Sequence, residues 1–277
     1  MIGGDPAPPL NLHSDAEAAW KGVVAVSHQK KSPFAVLKPA DTTAAPGYER
    51  KLTALSLKAL KAQSKPGDTI DWTRPAAPPR WMPTRLAATA VSQFHFGEIA
   101  TARMCTDIRV RIASPAARDC LAAQAEDEQR HARIYGRYLE KLGGPDAGRP
   151  AIESLYDKAA SWRGAPEGTI LACHILFEGE SLQLQNAIGT WMPCPLFKDI
   201  SAIIAKDEAR HVAFGRIYLR EALPHVPRLE RLALFHWIRQ LWFDAVQEAV
   251  DGFAPPGLLA LHGGRARWIQ KEWRERL

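Results

Sequence analysis

Asp127-Glu128-Gln129-Arg130-His131 and Asp207-Glu208-Ala209-Arg210-His211 share the pattern D-E-x-R-H. Each lies in a long proline-free stretch. On a helix, positions i and i+3 share a face, so the Glu and His of each segment project together. One E-x-x-H says little, because both residue types are common on helix surfaces. Two copies with the same flanks say much more.

Upstream, Glu98 lies 30 residues before Glu128, and Glu178 lies 30 before Glu208. One offset of 80 therefore relates Glu98 to Glu178, Glu128 to Glu208 and His131 to His211. That is the mark of a repeated helix pair. Each pair supplies one lone Glu and then one Glu-x-x-His, the ligand set of two-metal carboxylate bundles. The stretches before the lone glutamates, 90–97 and 170–177, are apolar enough to be interior. Four glutamates in a core are costly unless neutralised, and two divalent cations offset four carboxylate charges. Oxygen and imidazole donors without thiolate suit iron and manganese alike. Glu178 has a competitor in Glu180. Two residues apart on a helix, they cannot both point inward. The equal spacing favours Glu178, although a helix bulge would shift the register.

Around this centre the chain of 277 residues divides into three parts. Residues 1–83 read as an arm rich in Pro, Ala and Gly. It carries one helix near 48–64 and a segment, 65–83, in which five prolines and Trp72 and Trp81 exclude a helix but suggest packing. Residues 84–223 hold four long helices, expected at 84–112, 116–142, 168–189 and 196–223, with a short helix in the connection at 146–166. Residues 224–277 read as a helical extension, with a fifth long helix at 229–252 and a basic one at 265–277. Strand signals are scarce, so the expected class is all-α.

The four helices from about 84 to 223, roughly half of the chain, resemble the ferritin-like di-iron carboxylate superfamily. The D-E-x-R-H form is most similar to its oxygen-activating members: bacterial multicomponent monooxygenase hydroxylases, ribonucleotide reductase small subunits and related ligand-binding oxidases. The resemblance implies a ferritin-like four-helix bundle with additional helices. It implies metal ligands at Glu98, Glu128, His131, Glu178, Glu208 and His211, with Glu128 and Glu208 bridging. It also implies that Asp127 and Asp207 orient His131 and His211, as supporting partners of metal-bound histidines do, with Arg130 and Arg210 pairing with those aspartates. Tyr135, four after His131, matches the radical tyrosine of the reductase subunits. Packing near the core is the favoured reading of it.

The function so implied is an oxidoreductase that binds two iron ions, activates O2 and oxygenates or oxidises a small organic substrate, free or tethered to CoA or a carrier protein. A manganese–iron pair would use the same ligands. Electrons must come from an external donor such as a reductase or ferredoxin, because no nicotinamide, flavin or P-loop fingerprint is present. Metal storage in a non-catalytic bundle and tRNA hydroxylation are the alternatives. The net charge of +6 permits nucleic acid as a partner, but no aromatic RNA-binding motif accompanies it. The tryptophans of 229–252 read as covering the bundle or a homodimer surface. His95 and His174, near the lone glutamates, read as packing or hydrogen-bonding residues. The four cysteines, Cys105, Cys120, Cys173 and Cys194, have no C-x-x-C spacing and read as free thiols in a reducing cytoplasm. No secretory signal or membrane span is expected.

Overall fold

The structure is a computed structural model. It describes residues 47–63, 70–80, 82–144, 151–191 and 194–253, all within one compact unit, Thr43–Leu277. The N-terminal arm before 47, Trp81, Met192, Pro193 and the basic segment 265–277 lie outside the described residues.

The described residues are helical with no strand, so the class is all-α. Helix α1 spans Tyr48–Gln63, α2 Thr84–Arg109, α3 Pro115–Lys141 and α4 Ala151–Ala160. A short α5, Glu167–Ile170, runs into a π-helical turn, Leu171–Phe177, and then into α6, Glu178–Trp191. Helices α7, Pro195–Ala222, and α8, Arg228–Phe253, follow.

Local chemistry fixes the ends. Ser114 caps α3 by accepting a hydrogen bond from Ala117 N at 3.1 Å, and Pro115 occupies the first turn, a cap worth about 1 kcal/mol. At the other end Gly143 and Gly144 adopt φ of 101° and 102°, and Gly144 N donates back to Leu139 O at 2.8 Å. This left-handed reversal suits glycine. Proline also opens α7, at Pro195.

Two apolar clusters form the core. One contains Leu52, Met104, Ile108, Leu121, Ile170 and Phe214. The other contains Val91, Ile134, Tyr135, Leu139, Phe197 and Ile200. Along α2, α3 and α7 the conspicuous acids fall between the residues that feed one cluster and those that feed the other, so a polar layer lies between two apolar ones. The order of these residues also gives chain direction. Helices α2 and α7 run from the second cluster to the first, while α3 and the α5–α6 segment run back. Two consecutive long segments with the same direction need a crossover, supplied by the connection that carries α4. Helix α2 packs on α3 and α6 on α7, with α3 meeting α7. This arrangement is compatible with a ferritin-like bundle. Helix α1 lies on α3 and α7, and α8 on α4. No helix among the described residues is long and apolar enough to cross a membrane.

Candidate metal centre

The polar layer brings Glu98 of α2, Glu128 and His131 of α3, Glu178 of α6 and Glu208 and His211 of α7 together. All six are at most 6% exposed. Their ligand atoms form two groups within each of which all atoms lie inside 4.8 Å: Glu98, Glu128, His131 and Glu208, and Glu128, Glu178, Glu208 and His211. Glu128 and Glu208 belong to both. Glu178 is the interior acid of the third helix, and Glu180 is half-buried. The third long helix is not uniformly α: the π-helical turn Leu171–Phe177 ends immediately before Glu178, so the register change that a bulge supplies lies at the residue it would have to place.

The histidines are held crosswise. His131 Nε2 donates to Asp207 Oδ2 at 3.1 Å, and His211 Nε2 to Asp127 Oδ2 at 3.4 Å. Each aspartate thus orients the histidine of the opposite helix. Both Nδ1 atoms face the acids: His131 Nδ1 is 3.1 Å from Glu128 Oε2, and His211 Nδ1 is 3.1 Å from Glu128 Oε1. Arg130 and Arg210 bind both aspartates: Arg210 donates to Asp127 at 2.9 Å and to Asp207 at 2.5 Å, while Arg130 donates to Asp127 at 3.2 Å and also reaches Asp207. From α1, Gln63 Nε2 donates to Asp127 Oδ1 at 2.9 Å.

Gln124 is part of this network and had no place in the ligand pattern. Its Nε2 donates to Glu128 Oε1 at 2.9 Å and to Glu178 Oε1 at 2.7 Å, and its Oε1 accepts from His174 Nε2 at 2.9 Å. An amide one turn before E-x-x-H could have drawn attention to it, but its second acid is 54 residues away. His174 therefore acts through Gln124, and His95 Nδ1 donates to Ala132 O at 2.9 Å. Neither is in the acid–histidine groups. Ser181 adds a hydrogen bond to Glu208 at 3.3 Å. Tyr135 is fully buried, stacks on Phe94 at 5.3 Å and accepts a hydrogen bond from Gln185 Nε2. Its counterpart in the repeat, four after His211, is Gly215. A Cβ there would overlap the Cβ of His174. The two halves match in ligands and differ around them.

The site fits two metal ions. Its donors are buried carboxylates and imidazoles, two of the acids are placed to be shared, and the Nε2 atoms are bound to aspartates so that Nδ1 is left for a metal. Electrostatics agree. Burial pushes Glu98 well above the ordinary carboxylate range. Burial and the charges of Glu208 and Glu128 do the same to Glu178. For Glu128 burial works upward, but His211 and His131 outweigh it and hold the carboxyl well down. Burial alone would lower His131 and His211, yet the surrounding acids raise both well above the ordinary imidazole value.

A pH dependence follows. Metal needs ionised carboxylate and neutral imidazole. In the metal-free chain Glu98, Glu178, His131 and His211 all keep protons to higher pH than free side chains do. Metal must displace those protons, so apparent affinity rises with pH. The sign for stability is consistent with this. A group whose folded pKa is raised favours the fold most below its unfolded pKa and loses that contribution as pH rises. Calorimetric metal titrations in two buffers of unlike ionisation enthalpy should show net proton release at about neutral pH. Proton uptake would contradict the donor assignment.

The chain matches no protein-family model and shows no significant similarity to a curated protein, so an assignment of function has to rest on this geometry.

Proposed function

We propose that the chain is a ferritin-like di-metal oxidoreductase, loaded with two iron ions, that uses O2 and an external electron donor to oxygenate a small organic substrate. The observation that supports it best is the pair of overlapping acid–histidine groups sharing Glu128 and Glu208, with the histidines fixed crosswise by Asp127 and Asp207. In this reading Glu98 and His131 would hold one metal, Glu178 and His211 the other, and Glu128 and Glu208, which belong to both groups, would serve both. A bound iron pair supplies the capacity to bind O2 and pass electrons to it.

The protein's own part is positional. Asp127 and Asp207 hold the imidazole planes and fix their tautomers. Gln124 ties Glu128 to Glu178. Arg130 and Arg210 balance the aspartates, so that the negative charge at the centre stays with the ligands. The two apolar clusters on either side of the polar layer keep bulk water away. Tyr135, influenced by the charges of Glu98 and Glu208, and Tyr156, influenced by those of Glu178 and Glu98, are the buried phenols beside the centre; in this reading Tyr135 exchanges an electron and a proton with it, the proton being held at its phenol oxygen.

One observation favours a second reading, a metal-holding bundle that consumes O2 without an organic substrate. A cavity that borders His211, Asp127 and Gln124 is about 20 Å³, room for one water molecule. The larger groove, about 500 Å³, lies along Arg228, Leu229 and Phe235 of α8 and shares no residue with the centre. Anaerobic loading with Fe(II), elemental analysis, and the optical spectrum and O2 uptake on mixing with oxygen test both readings. Two irons per chain and substrate-dependent O2 uptake are expected. Fewer than two metals would remove the di-metal reading, and uptake indifferent to every organic compound tried would favour the second.

A further inference from the structure

Cys105 and Cys173 form a pair that the proposed chemistry does not use. Cys105 lies on α2, two turns after Glu98, and Cys173 lies in the π-helical turn, five residues before Glu178. Both are buried, at 0% and 1% exposure. Their sulfurs lie within 4.8 Å of each other and of a ring nitrogen of His174. His174 is hydrogen-bonded to Gln124, which donates to Glu128 and Glu178. The thiol pair therefore lies beside a histidine that is linked through Gln124 to the acids of the centre. The other cysteines are engaged elsewhere: Cys120 donates to Leu52 O at 3.2 Å, and Cys194 accepts from Tyr138 Oη at 3.5 Å.

Two roles suit two sulfurs and an imidazole, a soft-metal site or a redox dithiol. The surroundings disfavour the metal. Metal binding needs thiolates. Contact with Cys173 draws the Cys105 thiol down, but burial together with the charges of Glu128, Glu178 and Glu208 outweighs it and leaves Cys105 raised, while contact with Cys105 and burial both push Cys173 well up. His174 Nε2 is also committed, donating to Gln124 Oε1 at 2.9 Å. A buried pair of protonated thiols can still lose electrons and protons together to an oxidant inside the protein, while burial shields it from exchange with external thiols.

We infer that Cys105 and Cys173 are an internal two-electron reductant for the metal centre, closing to a disulfide when the oxidised metal pair has no other electron source. The inference rests on the di-metal reading above. In the step, each of two ferric ions takes one electron and becomes ferrous. The two thiols lose two electrons and two protons and form one S–S bond, and both protons are released to water. It sets a limit of one disulfide per chain, and it crosslinks α2 to the turn that leads into Glu178.

The test uses the full chain. Fe(II) is loaded anaerobically, the metal is counted, and O2 is added without reductant or substrate. Free thiols are then alkylated in acid denaturant, and peptides are mapped without reduction. Free thiols are expected to fall from the four of the sequence to two, with a Cys105–Cys173 crosslink. Metal-free chain given the same oxygen should keep all four, Cys105→Ser should keep its remaining three, and Cys120→Ser should still form the crosslink. A chain that holds two irons, reacts with O2 and retains four thiols overturns the inference and leaves the di-metal reading intact. The same crosslink at the same rate in metal-free chain also overturns it, because the centre is then not the oxidant. A chain that holds no iron removes both, and the metal count identifies that case.

Discussion

Replacing Glu128 with alanine is expected to strip both metal ions from the chain, whereas Glu98→Ala and Glu178→Ala should each weaken one. Glu128 is the acid at which the two halves meet. It lies in both ligand groups, and its two oxygens lie 3.1 Å from Nδ1 of His131 and 3.1 Å from Nδ1 of His211. Glu98 and Glu178 each belong to one group. Elemental analysis after anaerobic loading and desalting separates the cases: no metal retained for Glu128→Ala, and one ion or a mixed occupancy for the other two. A Glu128→Ala chain that keeps both ions would refute the shared position. The same variant should be less stable without metal. In the metal-free chain Glu128 is the carboxylate that both raised histidines face. Removing one partner from buried charges costs about 3–5 kcal/mol, because the others are left uncompensated. Denaturant unfolding in the presence of a chelator measures that loss separately from the metal's own contribution.

What could be read from the sequence, and what could not, follows from the range of each interaction. The D-E-x-R-H segments and the equal spacing to Glu98 and Glu178 depend on helical periodicity, which is local. They led to the six residues that the fold brings together, and the long helical stretches with scarce strand signals led to the all-α class. The choice of Glu178 over Glu180 rested on spacing, and the structure gives it a local setting, the π-helical turn that ends at residue 177. Nothing in Leu171–Phe177 marks that turn, because i→i+5 bonding is imposed by packing rather than by residue preference. The crosswise pairing of Asp127 with His211 and Asp207 with His131 was equally hidden. Sequence shows that each Asp stands four before a His, but not that helices α3 and α7 face each other closely enough to exchange partners. Gln124 and His174 were invisible for the same reason, since their bonds span 50 and 54 residues. Gly215 shows the reverse. Its identity looks arbitrary until His174 is seen to lie so close that no Cβ fits there.

The second large effect belongs to Asp207. It is 4% exposed and accepts from His131 Nε2 at 3.1 Å, from Arg210 at 2.5 Å and from Arg130. Burial alone would raise its pKa. His131, Arg210 and Arg130 reverse that and hold the carboxyl well below the ordinary range. A carboxylate depressed in the folded state contributes stability that is present above its unfolded pKa and is lost as pH falls through the folded one. Asp207→Ala should therefore cost most at neutral pH, about 3–5 kcal/mol, since two largely buried guanidinium groups lose a partner, and the gap to the parent should close in acid. Asp207→Asn keeps an acceptor for His131 Nε2 but removes the charge, so it should hold the imidazole while still weakening the fold. Metal affinity separates the two variants: about 10–100-fold weaker on the His131 side for alanine, and less for asparagine. Urea unfolding with chelator at neutral and acid pH, followed by metal titration, gives both quantities. Equal stability of Asp207→Ala and the parent at neutral pH would show that Asp127 alone satisfies both arginines, and that the crosswise arrangement holds one histidine rather than two.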